Sequence, residues 1–167
     1  DDVAGVYFIK NLWELSDSST LELDLGYGHG HNINAEANHI YNAALTYKCK
    51  CNDKRSFTWT AEYTMAEKLF DDTPVNLGRT SALSTWIKYQ FQQRWWAQAR
   101  HEIVSNLEFD AVEDITKSSA LVAFVPSEYS ALRLQYDSID DPSSTETEKR
   151  VTLQLNLTMG AHPAHEY

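Results

Sequence analysis

The chain has 167 residues, one ordinary domain's worth, and carries 14 Lys and Arg against 24 Asp and Glu, a formal charge of −10. No basic stripe exists to neutralise a phosphate backbone, so nucleic acid is excluded as a partner. A hydrophobic share of 43% is too high for a disordered acidic tail, and the longest apolar run, Ala120–Val125, is too short for a transmembrane helix.

Taken in chain order, the pattern is alternation of period 2, which marks strands. A first strand is expected over Val3–Leu12. Leu21, Leu23, Leu25 and Tyr27 then alternate with Glu22, Asp24 and Gly26, and Ala43, Leu45, Tyr47 and Cys49 with Thr46 and Lys48. Phe57, Trp59, Ala61, Tyr63 and Met65 follow, and next Leu83, Ile87, Tyr89 and Phe91 opposite Ser84, Lys88 and Gln90. Trp95, Ala97 and Ala99, the run Ser119–Val125, and Leu132, Leu134 and Tyr136 supply three more. The cleanest is last: Val151, Leu153, Leu155, Leu157 and Met159 against Arg150, Thr152, Gln154 and Asn156. About nine antiparallel strands make an all-β chain.

The connections alternate in length. Glu14–Ser19, Asn52–Arg55, Gln92–Arg94 and Pro126–Ser130 are short; His29–Asn38, Ala66–Arg79, Ile103–Lys117 and Ser138–Glu148 are long. Outer-membrane barrels have this asymmetry, with short periplasmic turns and longer external loops. Trp13, Phe57, Trp59, Tyr89, Phe91, Trp95, Trp96, Phe124 and Tyr129 fall beside the short turns, and Tyr27, Tyr41, Tyr63 and Tyr136 toward the long loops. Two aromatic belts fit the girdles at membrane interfaces; the competing reading packs the same rings into the core of a soluble barrel or sandwich. The fold expected is therefore an up-and-down transmembrane β-barrel. Strand parity adds that the chain is the C-terminal portion of a larger barrel, with at least one strand before it.

The polar side of the strands carries both signs of charge, and Lys or Arg at the bilayer midplane costs about 2–4 kcal/mol, so that side is expected to line a wet lumen. Glu22, Asp24, Lys48, Glu62, Lys88, Arg100, Arg133 and Gln154 are the expected lumen residues, joined by Lys50, Asp137 and Arg150 on the same side. Neither sign dominates, which argues against strong ion selectivity.

Other chemistry is sparse. His29 and His31, with Glu36 and His39 nearby, offer imidazoles suited to Zn²⁺ or Cu²⁺ in an external loop; the bland alternative is a solvated polar loop. His162 and His165 read as a structural tail. Cys49 and Cys51 point the same way on a strand, poor geometry for a mutual disulfide, and read as small apolar side chains. The acidic loops, with Glu108, Asp110, Glu113 and Asp114 in one, Asp140, Asp141, Glu146 and Glu148 at another, and Asp71 and Asp72 in a third, read as solvated faces able to hold Ca²⁺ or Mg²⁺ that bridges lipopolysaccharide phosphates. No G-x-S-x-G, P-loop or G-x-G-x-x-G occurs, and His101 lies on the apolar side, so no enzyme is expected.

The tail Leu157-Thr-Met-Gly-Ala-His-Pro-Ala-His-Glu-Tyr167, with Asn11-Leu-Trp-Glu-Leu15, Phe124-Val-Pro-Ser-Glu-Tyr129 and Leu132-Arg-Leu-Gln-Tyr136, resembles a family of Gram-negative outer-membrane barrels, the zinc-regulated or TonB-dependent receptor-like and porin-like proteins. The resemblance implies a bacterial outer-membrane location and a transport role. Its implied partners are outer-membrane lipid and lipopolysaccharide, the barrel-assembly machinery reading Tyr167 as a terminal aromatic, and the TonB system. The chain departs from that family in lacking a plug and a TonB box, which puts energised uptake in doubt. The expected function is passage or uptake of a small solute or metal species; the alternative is a soluble all-β barrel enclosing a small apolar ligand.

Overall fold

A computed structural model describes residues 4–31, 37–69, 77–106, 114–127 and 129–158. Nine strands follow one another: β1 (Gly5–Ser16), β2 (Ser19–His31), β3 (Ala37–Asn52), β4 (Arg55–Leu69), β5 (Leu77–Gln92), β6 (Trp95–Asn106), β7 (Ile115–Ser127), β8 (Ser130–Asp140) and β9 (Glu148–Leu157). Each pairs antiparallel with the next, in the order β1 through β9, giving one up-and-down sheet. The nine strands and their meander match the sequence reading. Closure does not: among the described residues no pairing joins β1 to β9, so the expected barrel is an open sheet here.

The strands also run further than alternation indicated. β2 continues to His31, β3 starts at Ala37, β4 reaches Leu69, and β8 ends at Asp140, all inside the expected long loops. Backbone pairing does not need apolar side chains, so the hydrogen-bonded ladder outlasts the hydrophobic pattern. Register shifts sit beside the short turns, at Glu14/Ser16, Lys50/Asn52, Gln90/Gln92 and Phe124/Ser127. Bulges at strand ends sharpen local twist and tighten these turns.

Register sorts the side chains onto two faces. One continuous row, Trp13·Leu21·Tyr47·Trp59·Ile87·Ala99·Ala120·Tyr136·Val151, crosses all nine strands on the apolar face. The neighbouring row on the other face is Leu12·Glu22·Thr46·Thr60·Trp86·Arg100·Ser119·Asp137·Arg150. Burial is unequal between them. Among the described residues the four buried ones, Thr46, Thr60, Ala123 and Asp137, all belong to the polar face. Alanine provides a size-matched check: on the apolar face Ala99 and Ala120 are exposed and Ala43, Ala61 and Ala97 half-buried, whereas on the polar face Ala44, Ala66 and Ala82 are half-buried and Ala123 is buried. Crowding on one face and splaying on the other is the signature of a sheet curled toward its polar side.

The apolar face, by contrast, covers nothing. Leu153 is 70% exposed, Leu155 63% and Leu157 60%, and Ala123 is the sole buried hydrophobic residue among those described. Each aliphatic side chain left this way forgoes about 1.5–3 kcal/mol of burial. A dry core flanked by this face, the requirement of the soluble alternative, is not present within the described residues. Met159 and the tail to Tyr167 lie outside them.

The connection between β8 and β9 is held by Asp141, whose carboxylate accepts the Ser143 N–H at 2.9 Å and the Ser143 hydroxyl at 2.7 Å. These bonds, the hydroxyl first, hold the Asp141 carboxyl below the ordinary aspartate range. Because the folded value is depressed, the turn's stabilisation is complete above the unfolded pKa and disappears as pH falls through the folded one. Carboxyl carbon-13 titration should show Asp141 titrating below a free aspartate, and Ser143→Ala should move it back up; an unchanged midpoint would remove Ser143 as the cause.

Candidate functional site

The polar, occluded face is the natural place to look for function. All eight expected lumen residues lie on it: Glu22 and Asp24 on β2, Lys48 on β3, Glu62 on β4, Lys88 on β5, Arg100 on β6, Arg133 on β8 and Gln154 on β9. Lys50, Asp137 and Arg150 share it. The strand pleat, which sends every second side chain to the same side, accounts for the placement.

Most of these charges are paired along the ladder. Lys10 reaches Glu22 at 2.9 Å and Asp24 at 3.4 Å, and Lys48 approaches the other oxygen of Glu22 at 3.9 Å. Arg100 pairs with Glu102 at 2.7 Å and bonds the Ser84 hydroxyl; Arg150 pairs with Glu148. Asn42 donates to Glu62 at 2.8 Å and to Thr64 at 2.9 Å. The Thr46 and Thr60 hydroxyls, directly opposite and buried, bond each other at 3.1 Å.

Asp137 is the most deeply placed charge, 3% exposed. It accepts from Ser119 and from Gln135 at 2.8 and 3.0 Å, and Lys117 lies 3.6 Å away. Two β-strands, β7 and β8, thus supply the partners of one carboxylate, because the register sets Ser119 directly opposite Asp137 and Lys117 in the next row of the polar face.

Charge is graded along the strands. The row Lys10·Asp24·Ala44·Glu62·Ser84·Glu102·Lys117·Ile139·Glu148, on the long-loop side, is richer in acids. Toward the short turns the face carries Lys48, Lys50, Lys88 and Arg133, with Glu14 at the β1 edge. The near-balance of signs expected along the polar side of the strands therefore hides an axial separation.

On the other face, aromatic side chains form contiguous runs. Tyr7, Tyr27 and Tyr41 adjoin, with ring centroids 6.2 and 5.2 Å apart; Phe91, Trp95 and Phe124 do likewise at 6.3 and 4.7 Å. Trp96 is a correction. It was expected in the belt beside the short turns, but it pairs with Gln90 and Ala123 and so sits on the polar face; proximity to a turn does not choose a side, and strand parity does.

The histidines need correction too. His29, His31 and His39 were expected in an external loop, yet His29 and His31 end β2 and His39 lies in β3. His29 and His39 are direct partners across the ladder. Both are engaged with tyrosines: His29 stacks on Tyr7 and Tyr27 at about 6 Å, and His39 Nδ1 is 2.8 Å from the Tyr27 hydroxyl. Glu36 lies outside the described residues, and among those described no group of three or more metal-capable side chains gathers. The Cys49 and Cys51 thiols are 3.7 Å apart, hydrogen-bonded to each other and not joined as a disulfide.

Two polar groups on the apolar face find partners across the ladder, whereas the buried Arg79 Nε has none among the described residues. Thr85 donates to the Thr60 carbonyl and accepts the Trp59 indole N–H, each at 3.1 Å, and His101 bonds the Ser118 hydroxyl at 2.9 Å. His101 thus lies on the apolar side, as expected. Comparison with known protein families, with curated proteins and with solved structures finds no match for the chain.

Asp137 offers a direct check on the polar network. Asp137→Ala leaves Ser119, Gln135 and a half-buried Lys117 without their acceptor and should cost about 2 kcal/mol in chemical unfolding, while Asp137→Asn, which keeps an acceptor oxygen, should cost about half that. Equal losses would make side-chain volume, not the carboxylate, the stabilising element.

Proposed function

We propose that the chain is a nine-strand section of an outer-membrane β-barrel wall, its apolar face toward lipid and its polar face toward a water-filled lumen through which small solutes pass. The observation that carries this reading is the path of the apolar band across the ladder. On β2 the band covers Leu21 to Tyr27, and the Trp13-to-Val151 row is its short-turn limit, with Ser19 beyond. On β9 the band covers Val151 to Leu157, and that same row is its long-loop limit, with Lys149 beyond.

The band therefore slides by three rows of one face over seven strand spacings, roughly 20 Å along the strands across roughly 34 Å of sheet, a slope of about 30°. Barrel strands tilt by about 35–45° to the barrel axis, so a belt of constant height must cross their hydrogen-bonded rows at a comparable slope. The aromatic edges follow the same diagonal: Tyr7, Tyr27, Tyr41, Tyr63 and then Tyr136 on one side, Trp13, Phe57, Phe91, Trp95 and Phe124 on the other. Arg79 and Glu67, an ion pair on the apolar face, lie past the belt on the long-loop side.

Closure follows from the same reading. β1 and β9 run in the same direction, so an all-antiparallel wall needs an odd number of further strands between them, and an open edge cannot persist in hydrocarbon. Inside, the graded wall of carboxylates, amides and cations would replace part of a solute's hydration during passage.

Two arginine substitutions test the assignment of faces. In lipid vesicles, Leu134→Arg on the apolar face should lower unfolding free energy by about 2–4 kcal/mol, whereas Thr152→Arg on the polar face should change it by less than about 1 kcal/mol. A chain that stays monodisperse in detergent-free buffer, with Leu134→Arg harmless, would overturn the membrane reading.

A further inference from the structure

On the polar face near the short turns, Trp96 on β6, Ala123 on β7 and Arg133 on β8 occupy one hydrogen-bonded row. The small, buried Ala123 between two large side chains leaves a depression of about 270 Å³, which Lys88, Gln98, Leu121 and Val125 also line. The Lys88 ammonium sits 4.9 Å from the centre of the Trp96 ring. Among the described residues no carboxylate pairs with Lys88, Arg133 or Lys50, while Lys10, Lys48, Arg100, Lys117 and Arg150 on the same face all have acidic partners.

Three cations without an acid on the polar side of a chain of charge −10 are out of balance with their surroundings, and two of them, Lys88 and Arg133, line the depression. They lie at the end of the face where the charge gradient turns positive, and no acid lines the depression. Trp96, Leu121 and Val125 add an apolar wall, and Gln98 an amide. We propose that this depression binds a small organic anion, an oxyanion group held between Lys88 and Arg133 above Ala123 and an apolar body against Trp96 and Leu121. Arg133 supplies a planar fork suited to a carboxylate and Lys88 a point charge. Trp96 and Arg133, on strands two apart, are separated by roughly 10 Å, room for a single ring, and Lys88, one strand further, brings its ammonium over the Trp96 ring beside that space. The site uses the polar face as folded, whether or not that face encloses a pore.

The test titrates benzoate, inorganic phosphate and benzamidine into the full chain in detergent micelles, followed by calorimetry and by the Trp96 indole N–H resonance. Benzoate should bind and shift that resonance; Arg133→Gln and Lys88→Gln should each weaken it about tenfold, with Arg133→Lys recovering part of the loss and Lys50→Gln, outside the depression, changing nothing. Circular dichroism of each variant separates lost binding from lost fold. Absence of benzoate binding, equal binding by benzamidine, or full affinity in both glutamine variants would overturn the site, and phosphate binding as tight as benzoate would overturn the apolar body. Because micelles suffice for the titration, failure here leaves the arginine-substitution test in vesicles unaffected, and failure there leaves this one unaffected.

Discussion

Backbone hydrogen bonding between consecutive antiparallel strands fixes which side chains are neighbours, and everything else in this molecule hangs on that register. Side chains repeat every two residues along a strand, so a slip of one residue would carry the Leu153 row to the polar side and the Arg150 row to the apolar side. The ladder holds through all eight pairings, with irregularities confined to the short-turn ends. Paired in this way, the strands need no central hydrophobic core to stay aligned. They do need an environment for the apolar face, and nothing within the described residues supplies one.

The two faces carry different kinds of energy. On the polar side, stability comes from hydrogen bonds and ion pairs partly withdrawn from water, with Asp137 and the Thr46–Thr60 pair as the most occluded examples. Such contacts are worth more where the sheet curls over them than on an open surface. On the apolar side, ring stacking links neighbouring strands, but most of the area awaits a covering phase. Hydrocarbon would supply it and would also require what Thr85 and His101 already have, a local partner for each polar group.

Edge strands sharpen the same point. β1 and β9 each offer an unpaired backbone edge, with Phe8, Ile9, Leu153 and Leu155 strongly exposed beside it. Sheet edges are blunted with charge, proline or short strands; these are 12 and 10 residues long, contain no proline, and carry charge at Lys10 and Glu14 on β1 and at Glu148, Lys149 and Arg150 on β9. Under the proposed reading these edges are where further strands of the wall would pair.

Alternation in the sequence determined the number of strands, their up-and-down order and the side on which Glu22, Lys88 or Arg133 would sit, because the pleat converts period 2 directly into faces. It placed His101 correctly and even contained the parity that puts Trp96 beside Gln98, although nearness to a turn obscured it. Where the strands end was not legible: pairing through Gly30, His31, His39 and Lys68 depends on backbone groups that every residue possesses. Only the tertiary structure decided how far each strand is staggered against the next, and from that stagger come the diagonal course of the apolar band, the curl toward the polar side, the pairing of most charges and the exclusion of Lys50, Lys88 and Arg133 from it. Those properties belong to relations between strands tens of residues apart, and a pattern read along one strand does not contain them.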